Sequence, residues 1–213
     1  MIRARLIILH KFIFLTILVL CTSAIEASNF KEHRILVIGD SISAGYGLPS
    51  GTGWVNLLDQ YLTKQKISFT ILNASISGDT SAGGRSRITN IVNQFKPSIV
   101  ILELGANDAL RGFPLKTSYQ NLYEIITISK SNQAKVLILG MKIPSNYGSE
   151  YTTQFSNMYL ELSKNTQAIL VPFFLEGVAT KRDYFQEDGI HPNADAQPIM
   201  LKNMLPSLLK ILK

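Results

Sequence analysis

Apolar residues are distributed along this chain in two alternating patterns. Five short runs rich in Ile, Val and Leu alternate little with polar residues, which is typical of strands buried on both faces of a sheet. These runs are residues 34–39, 69–73, 98–104, 135–139 and 168–174. Between and after them, apolar residues recur near a period of 3.6, which predicts amphipathic helices. The predicted helices are residues 54–64, 80–94, 118–131, 148–164 and 194–213.

The regular succession of strands and helices predicts an α/β fold for residues 28–213. Five βα units in a row favour one parallel sheet with helices on both faces, which is a three-layer α/β/α arrangement. We expect the flavodoxin-like strand order 2-1-3-4-5. In that order, strands are added first on one side of strand one and then on the other side. The switch falls between the first and third strands, and ligands bind at the carboxyl ends of these strands.

The first residues have a different character from the rest of the chain. Arg3 and Arg5 precede an uncharged apolar run from Phe12 to Cys21, and small residues follow it. This order predicts a secretory signal peptide over residues 1–27, cleaved after Ala24 or after Ala27. A retained membrane anchor is the weaker alternative, because the run is shorter than the roughly 20 residues a spanning helix needs. The protein is therefore expected to be exported, either periplasmic or secreted, without a stable membrane anchor after processing.

Composition narrows the range of chemistry. The only cysteine, Cys21, lies in the leader, so the processed chain has no disulfide and no thiol chemistry. Loss of the leader lowers the formal charge from +6 to about +4, and the basic residues are scattered, which disfavours nucleic acid as a partner. The chain has three histidines and no His/Cys pair at metal-binding spacing, so no metal and no other cofactor are expected.

Polar, turn-forming motifs follow the predicted strands. They are Gly39-Asp40-Ser41 after the first, Asn73 to Thr80 after the second, Gly105 to Asp108 after the third, and Asp188 to Pro192 late in the chain. Taken singly, each is explained by a helix cap or a turn. The predicted fold, however, brings Ser41 and Asn107 to one edge of the sheet, where the late loop with His191 is able to cover both. A serine, a histidine with a carboxylate three residues before it, and an amide donor are the components of an acyl-transfer site.

These four blocks resemble those of the GDSL/SGNH hydrolase superfamily, whose four named residues fall here on Ser41, Gly78, Asn107 and His191. The similarity is greater to the periplasmic multifunctional thioesterase, lysophospholipase and arylesterase enzymes. Segments 73–80, 110–113, 144–148 and 188–198 resemble that subgroup's segments in the same order, and the likeness covers essentially the whole mature chain. Two departures are Ile42, in place of the leucine of the GDSL name, and Ala106, where the subgroup often has glycine. Ala106 leaves the substrate range open.

The resemblance implies a serine esterase mechanism. Ser41 would be the nucleophile and His191 its base, with Asp188 holding the imidazole in the correct tautomer. The backbone N–H groups of Ser41 and Gly78, together with the Asn107 side chain, would form the oxyanion hole. Carboxylic esters or thioesters would be hydrolysed through an acyl-enzyme intermediate, with lysophospholipids, acyl thioesters or aryl esters as substrates.

Apolar residues after Asn107 predict the substrate-binding surface. Leu110, Phe113 and Pro114 lie in a segment that would be polar in an ordinary surface loop, and with Ile143 and Pro144 they are expected to line the acyl chain. The alternative is that they fold back onto the core. Two other functions stay open: a carbohydrate deacetylase or acyltransferase of the same superfamily, and a non-catalytic flavodoxin-like binding module. The three aspartates Asp40, Asp79 and Asp108 are expected to orient loops rather than to act in catalysis.

Overall fold

Five parallel strands lie in the order β2-β1-β3-β4-β5 in the computed structural model, which describes residues 32–213. The strands are β1 (His33–Gly39), β2 (Phe69–Asn73), β3 (Ile99–Glu103), β4 (Lys135–Leu139) and β5 (Ile169–Val171). This confirms the predicted α/β fold and strand order. The predicted signal peptide, residues 1–27, lies outside the described residues.

The two central strands, β1 and β3, form the middle of the hydrophobic core. They pair in register from Ile35 opposite Ile99 to Gly39 opposite Glu103, so that both strands end at the same level. All five residues of β3 are buried, because helices cover both faces of the sheet there. At the far edge, β5 has only three residues, where the sequence predicted seven. Pro172 follows directly and has no N–H to extend the ladder.

Seven helices are found among the described residues. They are α1 (Ser41–Ala44), α2 (Trp54–Lys64), α3 (Ser81–Phe95), α4 (Ala106–Leu110), α5 (Leu115–Ser131), α6 (Ser149–Thr166) and α7 (Gln197–Leu212). The five long helices agree with the predicted segments within a few residues; α5 packs between α3 and α6, and α2 packs against α7. Helices α1 and α4 were not predicted, since four or five residues are too few to show a 3.6 period. No helix within residues 32–213 is long and apolar enough to span a membrane.

The turn from β3 into α4 requires glycine. Gly105 has φ of +113°, a backbone conformation that side chains disfavour. A Cβ atom at this position would also lie 2.7 Å from the hydroxyl oxygen of Tyr159. This tight turn places Asn107 in the first turn of α4, immediately beyond the carboxyl end of the sheet.

Candidate active site

Ser41 is the first residue of the short helix that follows β1. Asp40 caps this helix by accepting a hydrogen bond from the backbone N–H of Ile42 at 3.0 Å. Ser41 itself is 9% exposed, so only a small part of it reaches the surface. The Nε2 atom of His191 lies 2.9 Å from the hydroxyl oxygen of Ser41, although the two residues are 150 positions apart in the sequence.

Asp188 holds the other side of the same imidazole. Its Oδ2 atom lies 2.6 Å from Nδ1 of His191, and its Oδ1 atom accepts the backbone N–H groups of Ile190 and His191 at 2.9 and 3.0 Å. The hydrogen bond with the His191 side chain is the largest reason that the pKa of Asp188 falls to about 2, and the two backbone N–H groups lower it further. Asp188 is therefore ionised at every pH where an enzyme of this kind works, and it favours the tautomer with the proton on Nδ1.

The loop that carries His191 is anchored by two residues that the sequence did not single out. The guanidinium of Arg182 donates to the backbone carbonyls of residues 185, 186 and 187 at 3.2, 2.7 and 2.9 Å. The side-chain amide of Gln186 donates to the carbonyl of Tyr46 at 2.8 Å, which ties the loop to the segment after α1. The Tyr46 ring lies 4.6 Å from the His191 ring, centre to centre. A polar residue in a loop gives no sequence signal for such a role.

Three N–H donors are available at the same edge of the sheet. Asn107 donates one hydrogen of its amide to Asp40 Oδ2 at 3.0 Å, so its second N–H is free to bind a ligand. Gly78 has φ of +77°, which presents its backbone N–H without a side chain in the way. Within residues 32–213 no acceptor bonds to the backbone N–H of Gly78 or of Ser41. The guanidinium of Arg111 donates to the Gly78 carbonyl at 2.9 Å and links the two loops.

Two further aspartates fix the loops that carry these donors. Asp108 accepts hydrogen bonds from the backbone N–H and the hydroxyl of Ser81 at 2.8 and 2.5 Å, and from the Ser118 hydroxyl at 3.1 Å. This joins the start of α3 to α4 beside Asn107. Asp79 pairs with Arg87 at 2.6 Å. These contacts agree with the expectation that the aspartates orient loops.

Two buried carboxyl groups lie directly beneath Ser41. Desolvation by burial raises the pKa of Asp40 to about 6, against the lowering effect of its hydrogen bonds to Ile42 N–H, Glu103 and Asn107 and of the nearby His191 charge. Burial, reinforced by the charge of Asp40, raises the pKa of Glu103 well above its ordinary value. Glu103 was not predicted as a site residue from the sequence, although a carboxylate in an otherwise apolar buried strand was a usable signal.

The predicted acyl-chain residues divide into two groups. Phe113 is 44% exposed, and Pro114 and Pro144 are also exposed. Leu110 is half-buried and packs partly against the core. Ile143 is only 8% exposed and belongs to the core cluster. The segment after β4 alternates buried and exposed residues, and this turns Ile143 inward and its neighbours Lys142 and Pro144 outward.

Further exposed apolar side chains lie on loops at the same edge of the sheet as Ser41. Tyr46, Ile76, Tyr147 and Ile190 are 39–58% exposed, and each lies on a loop that follows a strand at the carboxyl edge of the sheet. The Tyr147 hydroxyl donates to the Leu110 carbonyl at 3.2 Å, which joins the loop after β4 to the end of α4. An apolar margin of this kind suits a substrate with a hydrocarbon part.

The arrangement is equipped for acyl transfer. It contains a hydroxyl, a base in contact with it, a carboxylate that orients the base, and unpaired N–H donors nearby. Among residues 32–213, no group of three or more His, Cys, Asp or Glu side chains is arranged to hold a metal ion.

Comparison with known proteins gives the same picture. The model of the GDSL-like lipase/acylhydrolase family matches residues 37–198. Esterase TesA of Pseudomonas aeruginosa is 44% identical over 180 residues, which cover 84% of this chain and 90% of that protein. Thioesterase 1/protease 1/lysophospholipase L1 of Escherichia coli is 39% identical over 197 residues, covering 92% and 90% of the two chains. The crystal structure of the psychrotrophic esterase EstA of Pseudoalteromonas sp., inhibited by monoethylphosphonate, superposes with a TM-score of 0.81 at 39% identity and covers 85% of this chain and 99% of that one.

Proposed function

This chain belongs to the GDSL-like lipase/acylhydrolase family, and we propose that it hydrolyses acyl esters and thioesters with Ser41 as its nucleophile. One observation carries the assignment of residues: Ser41 Oγ, the two ring nitrogens of His191 and the Asp188 carboxylate form a continuous line of contacts, 2.9 and 2.6 Å long. A histidine that only capped a turn would have no reason to face a nearly buried serine hydroxyl.

The acylation step follows from this geometry. Ser41 Oγ attacks the acyl carbon while His191 Nε2 takes the hydroxyl proton, and Asp188 stabilises the imidazolium that forms. The carbonyl oxygen becomes an oxyanion, to which Asn107 and the N–H groups of Gly78 and Ser41 donate hydrogen bonds. When the intermediate collapses, the carbon–oxygen or carbon–sulfur bond breaks and His191 returns the proton to the leaving group. The product of this step is the acyl ester of Ser41.

The deacylation step repeats the same chemistry with water. His191 Nε2 removes a proton from water, whose oxygen attacks the acyl-enzyme carbonyl. The second intermediate releases the carboxylic acid and restores the Ser41 hydroxyl. The cycle uses only side chains and backbone groups of the chain, so neither a metal nor another cofactor has a part in it.

The apolar margin favours substrates with a hydrocarbon chain. Phe113, Ile76 and Ile190 are exposed on three different loops at the carboxyl edge of the sheet. The relatives named as thioesterase, lysophospholipase and esterase point to the same class, namely acyl thioesters, lysophospholipids and simple esters.

The proposal includes export. A leader over residues 1–27 would be removed after Ala24 or Ala27, leaving the domain of residues 28–213 in the periplasm or outside the cell. In that compartment lipid-derived esters are more available than coenzyme A thioesters, so we expect them to be the main substrates.

A panel of acyl chain lengths tests the substrate class. With purified mature protein and p-nitrophenyl esters from acetyl to dodecanoyl, kcat/KM should rise about fourfold for each buried methylene until the groove ends. Phe113→Ser should flatten this rise and leave acetyl hydrolysis nearly unchanged. Leu160→Ser is the matched control, because Leu160 is 52% exposed on α6, away from the margin. Best activity on acetyl esters, with both variants equal to the parent, would contradict the acyl-chain proposal.

A further inference from the structure

Glu103 occupies an unusual place for a carboxyl group. It is the last residue of β3, the central strand, and it is 0% exposed among Ile, Val and Leu neighbours. In the pairing of β1 and β3 it lies opposite Gly39. Gly39 directly precedes Asp40 and Ser41 in the sequence. Burial of a carboxyl group costs desolvation free energy, so we expect Glu103 to make interactions that offset this cost.

The contacts of Glu103 all lead toward the nucleophile helix. Its Oε2 atom accepts the Ser43 hydroxyl at 2.7 Å and the backbone N–H of Asp40 at 3.3 Å. The other oxygen, Oε1, is buried and has no donor among the described residues. A proton on Oε1 would displace no hydrogen bond. The charge of Asp40 raises the pKa of Glu103, and interaction with Glu103 lowers the pKa of Asp40, so the shared proton is favoured on Glu103. Glu103 is thus built to be the neutral member of the pair.

Asp40 passes this constraint on to the oxyanion hole. With its carboxylate ionised, Oδ2 accepts from the amide nitrogen of Asn107 at 3.0 Å and Oδ1 accepts from Ile42 N–H at 3.0 Å. The bond to Oδ2 decides which end of the Asn107 amide faces the substrate, because an amide rotated by half a turn would present its oxygen to the oxyanion. Asn107 can therefore act as a donor only while Asp40 is held in place and charged.

We propose that Glu103 is a positioning residue for the oxyanion hole, acting through Asp40 on the side-chain amide of Asn107. The proposal rests on the proposed function, since it requires Asn107 to bind the oxyanion. Other titratable groups around the pair are His191, whose charge acts on Asp40, and Tyr159, whose hydroxyl donates to the Leu104 carbonyl at 2.9 Å beside Glu103. Neither offers the carboxyl pair a second way to fix Asn107.

Two substitutions of Glu103 separate positioning from packing. Glu103→Gln keeps an acceptor for Ser43 and Asp40 N–H and an N–H donor for the Asp40 carboxylate. Glu103→Leu fills similar space without either. On a water-soluble acetyl ester, Glu103→Leu should lower kcat by about 10- to 100-fold with KM within about twofold, whereas Glu103→Gln should stay within about fivefold of the parent. Ser129→Ala is the control, because it removes a buried hydrogen bond of α5 to Ile125, and its kcat should not change.

The pH profile gives a readout that a purely structural role would not move. Without a donor at position 103, Asp40 should take up a proton at higher pH, so the acid side of the kcat profile should shift upward by about one pH unit in Glu103→Leu and stay in place in Glu103→Gln. An unshifted profile in a folded Glu103→Leu protein would overturn the proposal. If that variant does not fold, Glu103→Met serves the same purpose.

A double-mutant cycle with Asn107→Ala decides the route of the effect. If Glu103 acts through Asn107, adding Glu103→Leu to Asn107→Ala should reduce kcat by no more than about twofold further. Full additivity of the two losses would overturn the proposal while leaving the serine esterase assignment intact. Failure of that assignment is recognised separately, by Ser41→Ala retaining activity. The cycle therefore tests the inference independently of the function on which it rests.

Discussion

The nucleophile side of the site is built from the ends of the two central strands, whereas the His191 side is built from a long surface loop. Ser41 and Asn107 follow β1 and β3 within a few residues, and buried Asp40, Glu103 and Asp108 fix them from below. His191 lies in the loop of residues 172–196, which contains only short 3₁₀ turns and one isolated bridge, Phe185 to Pro192. Residues near the two ends of the loop, such as Phe174 and Ala196, are buried in the core, whereas the part around His191 is held by hydrogen bonds.

The catalytic groups are therefore held in position in two different ways. On the strand side, buried residues of the core fix the catalytic groups, and a change there affects folding as well as catalysis. On the loop side, accuracy comes from exposed donors such as Arg182, so a change there should loosen the base without unfolding the protein.

Apart from loss of the nucleophile itself, the largest effect is expected on the loop side, at Asp188. Asp188→Asn should lower kcat by roughly ten-thousandfold, because an amide at this position favours the imidazole tautomer that cannot accept the Ser41 proton. The protein should stay folded at the assay temperature, since Asp188 is exposed. Steady-state kinetics with a circular dichroism melt would measure both. A loss of less than tenfold would mean that Asp188 is only a turn residue.

On the strand side, Asn107→Ala should lower kcat by roughly a hundred- to a thousandfold with little change in KM. An oxyanion donor acts on the charge that develops in the transition state rather than on the bound substrate. The comparison of kcat with KM over a range of substrate concentrations is the measurement. A raised KM with an unchanged kcat would identify Asn107 as a ground-state binding residue instead.

Arg182→Ala tests the anchoring of the loop itself. Loss of three hydrogen bonds to loop carbonyls should misplace His191 and reduce kcat by about tenfold. Hydrogen exchange should speed up in residues 182–193 and remain unchanged in β1 and β3. Arg85→Ala is the matched control, since Arg85 pairs only with Glu124 on the helix surface. Equal exchange rates in both variants would show that the loop does not depend on Arg182.

The smallest effect is on stability, and it has opposite signs on the two sides. The pKa of Asp40 is raised to about 6, so the folded state keeps a proton that the unfolded state loses near pH 4, and stability should fall as the pH rises from about 4 to 6. The pKa of Asp188 is lowered to about 2, so its contribution is complete above pH 4 and is lost as the pH falls toward 2.

Thermal unfolding between pH 2 and 8 separates the two contributions. Asp40→Asn should remove a fall on the order of 2 kcal/mol between pH 4 and 6. Asp188→Asn should leave that fall intact and flatten the gain between pH 2 and 4. A parent protein whose stability rises from pH 4 to 6, with Asp40→Asn following the same curve, would contradict the raised pKa of Asp40.

General folding rules predicted from the sequence that Ser41 and Asn107 lie together. The place of His191 beside them was predicted only from the resemblance to a known family. The apolar runs and their order placed Ser41 and Asn107 at one edge of the sheet, because parallel strands end there together. No such rule placed the late loop, and His191 was linked to Ser41 by the motif alone. Short helices α1 and α4 escaped because they have too few residues for a periodic pattern. Glu103 and Arg182 were not predicted. The role of Glu103 depends on a contact with a residue 60 positions away, and that of Arg182 on backbone carbonyl groups, and a pattern of residue types contains neither.

The central claim is that Ser41 becomes covalently acylated, and mass spectrometry of the intact protein tests it most directly. After brief reaction with an activated phosphonate ester, one phosphonyl group should be found on the peptide that contains Ser41, with hydrolysis lost in proportion to labelling. Ser41→Ala should neither be labelled nor retain more than about a millionth of the parent kcat. Ser145→Ala, an exposed serine on the loop after β4, should be labelled like the parent. A label on another residue, or an active Ser41→Ala protein, would contradict the account.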